Sequence, residues 1–208
     1  PEPNSNARST ALAVVQRLKQ VAKIFAIGIT NSVDADFLRE VSSGGQENRD
    51  YFRSTTFREL ATIRDQVISQ TCEVVTTPKP SCGDSIIDLI FVVDGSGSIC
   101  DPPPRATTGL KGCDNWNLVA NFIAKFIRQL QISGTGNRVA LVTFASEART
   151  VFYFDEYTDA NVLSRWITSN LFYPDGSTFT SGGLNQALND VIGKRGDRNN
   201  VENIVIVI

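Results

Sequence analysis

The sequence predicts an α/β fold: a doubly wound, mostly parallel sheet with helices on both faces. Three observations carry this. The run Ile86-Ile87-Asp88-Leu89-Ile90-Phe91-Val92-Val93 is β-branched and nearly unbroken in apolar character, as a parallel strand covered on both faces should be. Similar runs are interleaved with segments of helical period, the most regular being Leu118, Val119, Phe122, Ile123, Phe126, Ile127 and Leu130. The run ending at Val93 passes directly into Asp94-Gly95-Ser96-Gly97-Ser98, so an oxygen-rich loop stands at a strand's carboxyl end, where open α/β sheets form their ligand crevices.

In chain order, Leu12, Val15 and Leu18 share one face of a helix over Ala11 to Gln20, followed by the strand Val21 to Ile29. A turn over Asn31 to Asp34 leads to a short helix over Ala35 to Val41 and an edge strand over Asp50 to Arg53. Thr56-Phe57-Arg58-Glu59 has capping-box spacing and opens a helix that buries Phe57, Leu60, Ile63 and Val67 and ends near Cys72. Residues 73–84, with Pro78 and Pro80, read as a linker. Beyond the 86–93 strand and the 118–130 helix come a strand over Arg138 to Phe144 and an antiparallel edge partner over Thr150 to Phe154. A helix follows around Leu163, Trp166 and Ile167, then another through Leu184, Leu188 and Val191, and last a strand over Asn203 to Ile208.

Composition removes several function classes. The 208 residues contain no histidine, which excludes Ser-His-Asp and Cys-His catalysis and the commonest transition-metal ligand. A net charge of −2 leaves no basic footprint for nucleic acid or a polybasic membrane contact. No apolar run approaches the ~18 residues of a membrane helix, and Pro1-Glu2-Pro3 does not open a signal peptide. The four cysteines, at 72, 82, 100 and 113, lack zinc-finger spacing and read better as disulfides, which place the protein outside the reducing cytosol.

The loop after the strand brings a carboxylate, Asp94, together with the hydroxyls of Ser96 and Ser98. All three are hard oxygen donors suited to Mg²⁺, Mn²⁺ or Ca²⁺. So few formal charges leave ligand positions for water or a partner's carboxylate. Asp-x-Ser-x-Ser after an apolar strand resembles the metal-ion-dependent adhesion site of the von Willebrand factor type A domain. The downstream segment Gly176-Ser177-Thr178-Phe179-Thr180-Ser181-Gly182 stands where that family carries a threonine loop before a helix. The resemblance makes Thr178 the matching metal ligand.

It also implies a six-stranded sheet of order 3-2-1-4-5-6. Residues 1–72 are similar to the C-terminal half of one type A domain, including its Ile-Phe-Ala-Ile-Gly strand, and residues 85–208 to the N-terminal half of the next. We expect a piece of a longer chain, cut at equivalent points of two repeats. The family's final metal-shell aspartate would fall beyond Ile208, which weakens the expected Mg²⁺ affinity. Counted without regard to order, the elements make a full type A set, so the two halves can pack as a composite circular permutant with Val21 to Ile29 parallel to Asn203 to Ile208. In that arrangement Cys72 pairs with Cys82; the alternative pairs each with a cysteine outside the chain. The segment from Cys100 to Cys113 departs from the family's short step into its first helix and reads as a disulfide-closed insertion beside the site.

The implied function is a secreted, non-enzymatic module of the extracellular matrix, of the matrilin and collagen VI kind, capturing an acidic group on collagen or another matrix protein through a divalent cation. A structural matrix protein, with type A domains as assembly units and incidental metal binding, is the alternative. A third reading makes Asp94 a phosphoryl-transfer nucleophile, against which stand Ser96 and Ser98 where such chemistry wants further acids.

Overall fold

A computed structural model describes residues 5–73, 86–100 and 112–208. Six strands form a single sheet, in the order β2-β1-β6-β3-β4-β5. They are β1 (Lys23–Ile29), β2 (Tyr51–Ser54), β3 (Ile87–Asp94), β4 (Arg138–Phe144), β5 (Ala148–Phe152) and β6 (Glu202–Val207). All neighbours are parallel except β4 and β5. Relabelled from β3 onward, this is the expected 3-2-1-4-5-6; in chain numbering it differs because the two upstream strands occupy the positions of the last two. β6 is central, pairing with β1 from Lys23↔Ile204 to Ala26↔Val207 on one side and with β3 from Ile87↔Glu202 to Val92↔Val207 on the other.

The unbroken apolar character of the central strands follows from two cores separated by the sheet. Alternate side chains point to opposite faces. Phe25, Leu89, Phe91, Val93, Leu141 and Ile206 pack on one side, against α3 (Leu60–Glu73), α4 (Asp114–Gln129) and α5 (Ala160–Asn170). Ile24, Ile90, Val92, Val142 and Val205 pack on the other, against α1 (Ser5–Leu18), α2 (Ala35–Val41) and α6 (Thr180–Gln186). Among the described residues no helix is long and apolar enough to cross a membrane.

Several expected boundaries move. α1 starts at Ser5 rather than Ala11, because its first turns are polar and give no periodic signal. β1 starts at Lys23, and Val21 is 46% exposed in the turn before it. β2 and β5 lie at the two edges as expected, but β5 is shifted two residues toward the N-terminus. The capping box is only half formed: the Thr56 side chain makes no cap, and the Glu59 carboxylate instead accepts from the Thr55 N–H at 2.8 Å and the Thr55 hydroxyl at 2.6 Å. The expected last helix is split, with α6 passing into a π-helical turn over Ala187–Val191. The Cys100–Cys113 disulfide is present, with Cα atoms 5.6 Å apart. Cys72 is buried and disulfide-bonded. Its expected partner Cys82 lies outside the described residues, as do nearly all of the linker and positions 101–111 of the insertion.

Candidate metal centre

β3 delivers Asp94 to the carboxyl end of the sheet. Its backbone N–H donates to the Ile208 carbonyl at 2.8 Å, so the residue just past β6 anchors the loop. The Asp94 carboxylate folds back and accepts from the Ser96 N–H at 2.8 Å. Gly95 allows the close approach this turn requires: its N–H donates to the Phe144 carbonyl at 2.8 Å, and a Cβ there would sit 2.4 Å from the Pro174 ring. A 3₁₀ turn over Gly97–Cys100 then brings the Ser98 hydroxyl to 3.3 Å from that of Ser96. Ser96 is 1% exposed, Asp94 is half-buried, and Ser98 faces solvent.

The second loop is tied to the first. The Gly97 N–H donates to the Gly176 carbonyl at 2.8 Å, and the Tyr173 hydroxyl donates to the Ser96 carbonyl at 2.9 Å. Tyr173 is itself fixed by the Trp116 ring, 5.3 Å away, whose indole N–H donates to the Leu171 carbonyl at 3.1 Å. At the far end of the loop, the Phe179 N–H donates to the Ala145 carbonyl at 2.9 Å. Thr178 lies between these anchors, half-buried at the head of α6, and its hydroxyl has no hydrogen-bond partner among the described residues. Asp94, Ser96 and Ser98 thus form one cluster, and the Gly97–Gly176 bond brings the Thr178 loop against it.

The electrostatics suit a cation. Burial pushes the Asp94 carboxyl above the usual range, and the Ser96 backbone and hydroxyl only partly oppose this. No Lys or Arg pairs with it among the described residues. Burial, with Asp175 and Asp94 nearby, pushes the Tyr173 phenol up to about 12, so Tyr173 remains a neutral donor that clamps the loop. No group of three or more His, Cys, Asp or Glu side chains suited to a metal exists among the described residues. The donors gathered by the 94–98 loop are the Asp94 carboxylate and the Ser96 and Ser98 hydroxyls, a set whose chemistry fits a hard divalent cation with open positions for water or a ligand.

Sequence reasoning missed Asp175. It adopts a left-handed φ of 56°, accepts from the Gly176 N–H at 2.7 Å, and lies beside Gly97, where a Cβ would be 3.0 Å from its Oδ1. A second carboxylate thus stands at the junction of the two loops. The Pro174-Asp175-Gly176 turn signal was its only trace in the sequence.

Comparison with known proteins agrees with this architecture. The family model for the von Willebrand factor type A domain matches residues 88–208. Cochlin of Bos taurus is 27% identical over 151 residues, covering 72% of this chain and 23% of cochlin. The collagen alpha-6(VI) chain of Mus musculus is 24% identical over 206 residues, covering 99% of this chain and 8% of the collagen chain. Vitrin of Mus musculus is 25% identical over 207 residues, covering 93% of this chain and 29% of vitrin. The chain thus spans less than a third of each of these relatives. Among solved structures, proximal thread matrix protein 1 of the mussel byssus, with a zinc-occupied MIDAS motif, superposes with a TM-score of 0.52 at 24% identity, covering 94% of this chain and 45% of that one. These relatives are matrix proteins, and a secreted, extracellular-matrix location follows from them. With its family model covering more than half its length, the chain belongs to the von Willebrand factor type A domain family.

Proposed function

We propose that this chain is a matrix-binding module that captures an acidic group on a protein partner, such as collagen or another matrix protein, through a divalent cation held by Asp94, Ser96, Ser98 and Thr178. The observation that carries the reading is the Asp94 carboxylate. It is held in a buried turn with no Lys or Arg partner among the described residues, beside the hydroxyls of Ser96 and Ser98. A bound Mg²⁺, Mn²⁺ or Ca²⁺ would supply the positive charge that this turn lacks and an open coordination position for a carboxylate. The protein's own part is orientation. The Ser96 N–H holds one oxygen of Asp94, Tyr173 clamps the Ser96 carbonyl, and the Gly97–Gly176 bond keeps the threonine loop in register.

The module is non-enzymatic in this reading: the chain has no histidine, and Asp94 is flanked by hydroxyls where phosphoryl transfer would want acids and a lysine. Residues 1–72 and 85–208 act as complementary halves of one type A unit. Supporting this is the parallel β1–β6 pairing. A second reading, assembly unit with incidental metal, draws support from the single carboxylate among the four donors.

The test is adhesion of the chain to immobilised collagen in Mg²⁺ or Mn²⁺, with and without EDTA. We expect EDTA or Asp94→Ala to abolish binding while circular dichroism is unchanged. Equal binding in EDTA would favour the assembly-unit reading and remove the cation from the mechanism.

A further inference from the structure

One carboxylate and uncharged hydroxyls offset the double charge of a hard cation poorly, and the structure sets a second carboxylate against the same turn. Asp175 is half-buried in the Thr178 loop. Its Oδ1 lies 3.0 Å from where a Cβ on Gly97 would stand. Gly97 is the residue between Ser96 and Ser98, whose hydroxyls are 3.3 Å apart, so any larger residue there would push this carboxylate away. The two loops are bonded at the same point, the Gly97 N–H donating to the Gly176 carbonyl at 2.8 Å. The Tyr173 phenol, raised first by burial, is raised further by the charges of Asp175 and Asp94. Both carboxylates therefore act on the hydroxyl that clamps the Ser96 carbonyl.

The Asp175 carboxylate is oriented and its charge is unspent. Its Oδ1 accepts from the Gly176 N–H at 2.7 Å, which fixes the side chain. No Lys or Arg pairs with it among the described residues.

We infer that Asp175 is the second anion of the metal centre, accepting a hydrogen bond from a water on the cation held by Asp94, Ser96 and Ser98 instead of binding the cation itself. This rests on the cation reading proposed above. A hard dication such as Mg²⁺ gives up its waters reluctantly, and the waters it keeps need acceptors. A carboxylate in that position raises affinity without entering the coordination sphere. The inner sphere then keeps one formal negative charge, so the cation keeps its pull on a partner's carboxylate. Asp175 is a positioning residue in this arrangement, setting how tightly the cation and its water are held.

Mn²⁺ affinity of the whole chain, read from the electron paramagnetic resonance signal of the free ion, tests this with two variants of opposite backbone effect. Asp175→Asn removes the charge but keeps an acceptor for the Gly176 N–H. Asp175→Gly also removes the charge, and glycine adopts the left-handed φ of 56° at this position without strain. Both should weaken Mn²⁺ by a similar factor of about ten or more, with Tm in EDTA near that of the unaltered chain and affinity less sensitive to added salt. The number of Mn²⁺-coordinated waters, read from water-proton relaxation, should stay the same in Asp175→Asn. A rise in that number would mean direct ligation and overturn the water-mediated role. Weakening in only one variant would mark a role in loop structure and overturn it too. Unchanged affinity in both, beside lost binding in Asp94→Ala, would overturn this inference and leave the cation reading standing. No saturable Mn²⁺ binding by the unaltered chain would overturn both.

Discussion

Asp88 is a carboxylate enclosed within the sheet rather than at its surface. It sits inside β3 with 0% exposure, and its carboxylate is gripped by Arg198. The closest contact, from Nη2, is 2.6 Å, and the Arg198 backbone N–H adds another at 3.1 Å. Burial pushes the Asp88 carboxyl up, and Arg198 only partly draws it back. Removing the guanidinium strands a buried carboxylate, so Arg198→Ala should destabilise by about 3–5 kcal/mol. The sign with pH follows from the raised folded-state pKa. Protonation stabilises the folded form, an effect fully present below the unfolded-chain pKa and lost as pH rises through the folded one. The deficit of Arg198→Ala should therefore be largest at neutral pH and shrink as pH falls into the carboxylate range. Denaturant midpoints with the same deficit at both ends would contradict this pairing. No partner for Asp88 is visible in the sequence, because Arg198 lies 110 residues further along the chain.

Among the elements, the loops differ from the strands in how they are fixed. The 94–98 loop depends on groups remote in sequence: Ile208, Phe144, Tyr173 and Gly176 each make one of its hydrogen bonds. The Cys100–Cys113 disulfide closes the segment that leads from this loop into α4. On a chain-entropy estimate, replacing both cysteines with serine should cost roughly 3 kcal/mol, read as a lower urea midpoint with the slope nearly unchanged. A shift several times smaller would mean that packing around Trp116 and Cys100, not the crosslink, holds this corner. The elements with strong period, α4 and the central strands, were legible in the sequence because burial on one or both faces writes itself into every position. The polar first turns of α1 and the π-helical turn at Ala187–Val191 were not. The latter coincides with a tertiary network in which Asp190 accepts from Thr150, Tyr153 and Gln186 at 2.6, 2.8 and 2.9 Å, and local periodicity cannot report such partners. Asp94, Ser96 and Ser98 were legible as one cluster because they are contiguous. Asp175 was hidden behind an ordinary turn signal.

For the whole molecule, the governing fact is that β6 is flanked on both sides by parallel strands, β1 and β3, that come from the two sides of the 73–84 segment. An apolar strand in that position has no open edge, which removes an aggregation hazard. It also fixes the carboxyl ends of β3, β4 and β6 side by side, so that Ile208 and Phe144 can both hold the Asp94 loop. The sheet therefore builds the candidate metal centre, where Asp94, Ser96, Ser98 and Thr178 are proposed to act together on one cation. Paramagnetic broadening by Mn²⁺ reads this most directly. In the ¹⁵N spectrum of the whole chain, Mn²⁺ should selectively broaden the amides of Gly95 to Ser98 and Gly176 to Phe179, with full recovery on EDTA and no effect in Asp94→Ala. Broadening centred elsewhere, or unchanged in Asp94→Ala, would contradict it.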